Sequence, residues 1–357
     1  MERVSVKAAP RLATRTPRRA AADALNPPAQ RRSFAEIEIF HDLEAARPVF
    51  AAIEAEAIAT PYQGYDFVDA WLRTIGQAQA KKPLIVVLRD DGGRVTGILP
   101  LAVASRFGLR TAAFVGGKHA NSHMGVFCRG VPDDRETLGE LLPRIGRLAG
   151  LDALLFVNQP QAWQGQANPL AALGRQQSPS RGHATKLYGD FEKWFALHYS
   201  KDAQKKLRKK ARRLAEMGAV ATVVASDEAM AAGMLSSFFA QKRAQAETTA
   251  RANDFDALDA ERFLEILAAA RLQARHGLEL HALFCGERIV AVFGGLAVGD
   301  RFSGTVTSHE ADPEIARCSP GELLILEVVR DLTERGFATF DLGVGEARYK
   351  ATMCEIE

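Results

Sequence analysis

Asp341-Leu342-Gly343-Val344-Gly345-Glu346-Ala347-Arg348-Tyr349-Lys350 is the stretch that decides how this chain is read. A carboxylate, a phenol and two cations leave an apolar segment here, beside glycines that let the backbone bend. Just upstream, Phe337 to Leu342 alternates apolar and polar side chains, the period of a strand. Gly336 stops the helix before it. That helix carries Leu324, Ile325, Val328, Val329 and Leu332 on one face. Its start is written in Ser319-Pro320-Gly321-Glu322. Ser319 is the expected N-cap, Pro320 the first helical residue, and Glu322 reaches back to complete a capping box.

Outward from this stretch, element signals recur in one order. A strand at Val220 to Ala225 precedes helices from about Glu228 to Ala244 and Leu258 to Arg275. Leu278 to Phe284 and Arg288 to Val298 form a hairpin over Gly286-Glu287, and Arg301 to Thr307 is a third strand. With the capped helix and its strand, the order is β-α-α-β-β-β-α-β. The first half gives the same order. Its strand at Phe34 to Phe40 is followed by helices at about Leu43 to Ile58 and Tyr65 to Ile75. Strands at Leu84 to Leu88, Val95 to Val103 and Thr111 to Val115, a helix at about Arg135 to Leu148 and a strand at Ala153 to Val157 complete it. The expected fold is α/β (α+β), with two tandem units, each a mixed central sheet flanked by helices. The expected division is residues 33–158 and 187–357, joined by a Gln-, Pro-, Gly- and Ser-rich linker at 159–186.

The chain has 357 residues and a formal net charge of +3, too small for an obvious nucleic-acid binder. No apolar run approaches the ~20 residues that span a bilayer. Residues 1–32 hold Arg3, Lys7, Arg11, Arg15, Arg18, Arg19, Arg31 and Arg32 against Glu2 and Asp23. With no apolar periodicity, they read as a disordered basic tail, or as an arm for a membrane surface or nucleic acid. Cys128, Cys285, Cys318 and Cys354 are scattered, without metal or disulfide spacing, which suits a reducing cytoplasm. A basic helix, Lys201 to Met217, carries eight cations between Lys201 and Arg213 against one acid, Asp202.

These residues carry a resemblance. Residues 201–350 resemble the GNAT acyltransferase superfamily, and more closely its CelD-type branch of cellulose and polysaccharide biosynthesis. The matching features are the basic helix with Arg208, Arg212, Leu214 and Gly218, and the glycine-turn hairpin at Phe284 to Gly294. To these add Ser319-Pro320-Gly321 before a Leu-rich helix, and Phe340-Asp341-Leu342-Gly343 with Tyr349-Lys350. The Fem-type aminoacyltransferases of peptidoglycan synthesis are similar: they pair two GNAT-like units and end a strand in Asp-x-Gly before an aromatic-Lys pair. The resemblance implies an acyltransferase with acetyl-CoA or another acyl-CoA as co-substrate. It implies donor contacts at Arg317, Ser319, Gly321 and Glu322, although this stretch lacks the glycine spacing of the usual signature.

The site expected from these readings has Asp341 as general base on an acceptor amine or hydroxyl and Tyr349 as acid for the departing thiolate. Otherwise Asp341 caps the glycine turn or pairs with Arg348, and Tyr349 is a packed amphipathic ring. Lys350 and Arg348 would hold an anionic group of the acceptor. Arg208 and Arg212 would meet a phosphate-rich ligand or an anionic membrane, unless they only face solvent. His119, Asn121 and His123, in Gly116-Gly-Lys-His-Ala-Asn-Ser-His-Met-Gly125, would line the acceptor site. The His-x-x-x-His spacing suits a metal only on a helix, which these glycines oppose, so no metal is expected. Three functions compete: acyl transfer from acyl-CoA to a small-molecule, sugar- or lipid-linked acceptor; transfer from aminoacyl-tRNA; and a non-catalytic accessory role on the same fold.

Overall fold

The computed structural model of the chain describes residues 32–174, 176–249, 255, 258–345 and 348–356. The first sheet is built from β1 (Glu36–Phe40), β2 (Ala57–Ile58), β3 (Lys82–Arg89), β4 (Val95–Arg106), β5 (Leu109–Phe114), β6 (Val126–Cys128) and β7 (Ala153–Leu155). Its order is β1-β3-β4-β5-β7, with β2 paired to β6 and β6 to β4. Helices α1 (Leu43–Ile53), α2 (Tyr65–Trp71, continuing through a π turn at Leu72–Gly76) and α3 (Arg135–Ala149) belong with it. The predicted order holds. The end of the first predicted helix, though, is the short strand β2, which together with β6 extends the sheet.

The second sheet runs β11-β12-β13-β14-β15-β10-β16. These are β10 (Gly182–Lys186), β11 (Val220–Val224), β12 (Glu279–Cys285), β13 (Arg288–Val298), β14 (Arg301–His309), β15 (Thr339–Val344) and β16 (Glu355–Ile356). The segment expected as a linker is ordered. It forms the small hairpin β8 (Ala162–Trp163) and β9 (Gln166–Ala167), a 3-10 turn at Pro169–Leu173, and then β10, antiparallel to β15. A Gln- and Gly-rich composition did not reveal that its last five residues complete a sheet. The helices here are α4 (Phe191–His198), α5 (Lys201–Met217), α6 (Glu228–Thr249), α7 (Leu258–Leu272), α8 (Pro313–Ala316), α9 (Pro320–Glu334) and α10 (Arg348–Met353).

The two sheets share a core. Phe50, Phe67, Trp71 and Val87 from the first half lie in one buried cluster with Phe238, Phe263, Leu280 and Val292 from the second. Phe67 meets Phe263 edge to face at 5.3 Å. Each such side chain taken from water stabilises by roughly 1.5–3 kcal/mol. The outer face of the second sheet packs on α9, α4 and α5 through Leu324, Val328, Trp194 and Leu207. The outer face of the first packs on α3 through Leu138, Leu141 and Ile145.

Of the basic tail only Arg32 is described. It pairs with Glu56 at 3.1 Å, and the rest lies outside the described residues. Among the described residues, no helix is long and apolar enough to cross a membrane.

Candidate active site

Strands β14 and β15 run parallel for three residue pairs: Arg301 with Thr339, Phe302 with Phe340 and Ser303 with Asp341. Then they part. Asp341 Oδ1 accepts the Gly343 N–H at 2.7 Å, so the chain turns just past the pairing. Gly343 takes φ +71°, a conformation costly for any residue with a Cβ. A Cβ there would also strike the side chain of Asn121, which reaches in from the first half of the chain. Asn121 Nδ2 donates to the carbonyl of Gly304 on β14 and to the Tyr62 hydroxyl, both at 2.8 Å. Asp341 and Asn121, 220 residues apart in the chain, thus meet at the point of divergence.

Tyr62 is fully buried. Burial first, and then the negative charge of Asp341, push its phenol well above the usual range, while Thr305 and Asn121 hydrogen-bond to it. Such a hydroxyl stays protonated. Asp341 is buried and fully engaged: Arg301 pairs with it at 3.1 Å, and Ser303 Oγ donates at 3.2 Å. Arg301 lies over the Trp163 ring at 4.0 Å, so the β8–β9 hairpin backs the ion pair. A guanidinium, a hydroxyl and a backbone N–H thus fix the position of this carboxylate. The sequence alternative in which Asp341 caps the glycine turn is the geometry found, and Arg301 pairs with it. Arg348 opens α10, and its side chain lies outside the described residues.

Lys350 is buried and donates to the carbonyls of Val344 at 2.8 Å and Gly343 at 3.5 Å. It clamps the backbone after β15. Tyr349 packs at the edge of the outer core, and burial pushes its phenol up to about 12.

At the start of α9 the expected capping box is absent. Ser319 sits at the N-cap position with φ +53° and makes no side-chain cap. Its Oγ instead accepts from Lys210 Nζ at 2.8 Å. Glu322 is drawn aside by the Tyr199 hydroxyl at 3.4 Å and Lys210 at 4.0 Å. Pro320 has no N–H and Leu323 N–H bonds back to Ser319, leaving the Gly321 and Glu322 N–H groups at the dipole's positive end. One ammonium and two N–H groups suit an anion, and Glu322 already shares that ammonium. Arg317 points elsewhere: it pairs with Glu314 on the exposed face of α8.

His119 and His123 are both buried. His119 packs edge-on against Phe255 and Phe263. His123 stacks on Phe114, with Nδ1 3.2 Å from the Val157 carbonyl, and burial pushes its pKa down to about 4. Only Asn121 of the three reaches β14. Arg208 and Arg212 lie on the exposed face of α5, and Arg208 touches Gln204 at 3.4 Å.

The groups that sequence reasoning missed are Tyr62, Arg301, Ser303, Lys210 and Tyr199. Lys210 was hidden among eight cations, and nothing local distinguishes Arg301 from any strand arginine.

One cluster has the make-up of a metal site: Glu279, His281 and Asp331, with ligand atoms within 4.8 Å of one another. Arg335 already bridges Glu279 and Asp331 at 2.6 and 2.7 Å, and Arg271 pairs with Glu279 at 2.6 Å. Two guanidinium groups stand where a cation would, so the donor set does not fit a metal.

Residues 201–351 match the acetyltransferase (GNAT) domain family. No curated protein sequence matches the chain. The fold is similar to the crystal structure of FemX, with TM-score 0.58 and 12% identity, covering 88% of this chain and 94% of that one. It is also similar to a conserved protein of unknown function from Bacteroides thetaiotaomicron VPI-5482, with TM-score 0.50 and 11% identity, covering 89% and 95%. Both likenesses run through the two halves, so the doubled architecture is that of the neighbours, and the GNAT match lies in the second half.

Proposed function

We propose that the protein is an acyltransferase that moves an acyl group from a CoA thioester to an amine or hydroxyl of a small-molecule, sugar-linked or lipid-linked acceptor. The observation that carries this reading is the divergence of β14 from β15 beside Asp341, entered by Asn121, with β14 leading on in the chain to the open N-terminus of α9. Ligands of open sheets commonly sit at the carboxyl ends of strands where neighbours part. Lys210 and the Gly321 and Glu322 N–H groups would hold the donor's pyrophosphate, with Lys210 exchanging Ser319 and Glu322 for phosphate oxygen.

In the reaction the acceptor's lone pair attacks the thioester carbonyl carbon and the C–S bond breaks. The thiolate leaves and takes a proton in place of the one the acceptor loses. Asp341 acts here by fixing Arg301, Ser303 and the turn at Gly343. Asn121, held in place by the buried, protonated Tyr62, supplies the polar group against which the acceptor is oriented. Tyr349, kept protonated by its burial, is the candidate acid for the thiolate. A place in polysaccharide or cell-envelope biosynthesis belongs to this proposal.

The test is thiol release from acetyl-CoA and longer acyl-CoAs over a panel of amines and alcohols. Asn121→Ala should lower kcat by about 100- to 1000-fold, the effect of one oriented donor, and lower stability by about 1–3 kcal/mol as the Gly304 carbonyl and Tyr62 hydroxyl lose a partner. Absence of calorimetric binding by any acyl-CoA or by free CoA would sink the reading.

A second reading, with the acyl group carried on tRNA, is favoured by one feature. Helix α5 presents Lys205, Lys206, Arg208, Lys209 and Arg212 to solvent. A charged-tRNA arm in the same assay separates the two. The same face meeting an anionic membrane predicts binding to phosphatidylglycerol vesicles that falls with salt.

A further inference from the structure

A cavity of about 220 Å³ opens between the two halves of the molecule. Phe50, Tyr65 and Phe67 from the first half and Leu296 and Val298 from the second form its apolar wall. Its polar side chains are already satisfied by protein. Thr60 and Gln63 hydrogen-bond each other, Gln63 Nε2 reaches the Ser122 carbonyl at 3.3 Å, and the Tyr65 hydroxyl turns away to Glu44 at 2.8 Å. Water therefore gains little inside, and an apolar cavity of 150 Å³ is already large enough to accept benzene.

The charge around it is one-sided. No lysine or arginine is among the lining residues, and the single lining carboxylate is Glu54. Glu54 Oε1 faces His276 Nε2 at 2.9 Å across the junction of the halves, and both side chains are more than half exposed, so they stand at the mouth. Glu54 Oε2 has no protein donor among the described residues.

From the apolar wall and this lone rim carboxylate, we infer that the cavity binds a small amine carrying a single ring or a short alkyl chain. The apolar part fills the cavity and the ammonium meets Glu54. The ligand bridges the two halves, since its wall and its rim are drawn from both. An anionic ligand such as a fatty carboxylate, or CoA itself, meets no lysine or arginine in the lining and is repelled by Glu54. The cavity adjoins the acyl-transfer centre through Leu296, paired with Ser303, and differs from it in charge; its test does not depend on that activity.

The full chain is titrated calorimetrically with hexylamine, hexanol and hexanoate. Saturable one-to-one binding of hexylamine with a negative heat-capacity change, about tenfold tighter than hexanoate, is expected. Two variants locate it. Gly64 lines the cavity with φ −67°, and a Cβ there would meet no atom within 4 Å, so Gly64→Phe occupies the space without backbone strain. It should abolish binding. Glu54→Gln, at the exposed mouth, should reduce hexylamine to the affinity of hexanol while leaving Tm unchanged. The inference is overturned if hexylamine shows no saturable binding, if hexanoate binds as well, or if hexylamine binds Gly64→Phe or Glu54→Gln as it binds the parent chain.

Discussion

The two halves make the same opening and close it differently. In the first half, β5 and β7 run parallel for three residue pairs, Thr111 with Ala153 to Ala113 with Leu155, and then part, as β14 and β15 do in the second. The first gap is filled from within. His123 stacks on Phe114 from one side and reaches the Val157 carbonyl from the other. The second gap is entered by Asn121, two residues away on the same loop but belonging to the other half. The following helices differ in kind too. Asp134 caps α3 through the N–H of Thr137 at 2.8 Å, so that helix start carries its own anion. Ser319 caps nothing in α9, and a lysine stands beside it. An architecture used twice has one copy sealed by its own side chains and one left with exchangeable polar groups, and the second is where chemistry has room.

The strongest break between the halves is expected from charge. Glu279 on β12 is buried; against the cost of that burial, hydrogen bonds from His281 and then Arg335 hold its carboxyl far below the usual range, and Arg271 pairs with it at 2.6 Å. Glu38 on β1 pairs with Arg89 at 2.7 Å near the surface. Glu279→Gln should cost about 1.5–3 kcal/mol, because the part-buried Arg271 loses its anion while Arg335 keeps Asp331. Glu38→Gln should cost about 0–1 kcal/mol. Chemical denaturation of both variants checks this, and equal losses would erase the distinction.

The filled gap should be sensitive to acid. His123 is neutral in the folded chain, with its pKa near 4 against 6.5 for the unfolded side chain. Between those values the unfolded state binds the extra proton. The stabilisation is therefore complete above about pH 6.5 and declines as pH falls towards 4, at up to about 1.4 kcal/mol per pH unit. His123→Phe, which keeps the stack on Phe114, should flatten the decline in Tm over that window. A slope unchanged by the substitution would assign it to other groups.

The smallest effect distinguishes the two helix starts. Asp134→Ala should cost about 1 kcal/mol of stability through the lost cap. Ser319→Ala should cost little, since no cap is lost, and should instead change the affinity for CoA by freeing Lys210. A stability loss for Ser319→Ala matching that of Asp134→Ala would show that the two starts are equivalent.

Much of the frame was readable from local pattern. Period-two and period-3.6 hydrophobicity gave both β-α-α-β-β-β-α-β series, because each element must turn one apolar face to a core. Gly336 ended α9 as expected, with φ +81°, since a left-handed stop asks for glycine whatever surrounds it. Asp341 was found through its Asp-x-Gly turn, a bond between residues two apart.

Everything that crosses between elements waited for tertiary structure. Ser319 and Glu322 read as a capping box, but Lys210, 109 residues earlier, took the hydroxyl, because an ammonium in reach binds it more strongly than a backbone N–H. Arg301 reaches Asp341 because β14 lies beside β15. The segment at 159–186 read as a linker because β10 gains its reason to be a strand from the edge of β15, and that edge is written elsewhere in the chain. Sequence determined which segments become elements and where they stop, since those forces act within a few residues. Only the fold decided that one loop serves both halves, with His123 sealing one gap and Asn121 entering the other. A side chain's partners are set by packing between segments that no local pattern records.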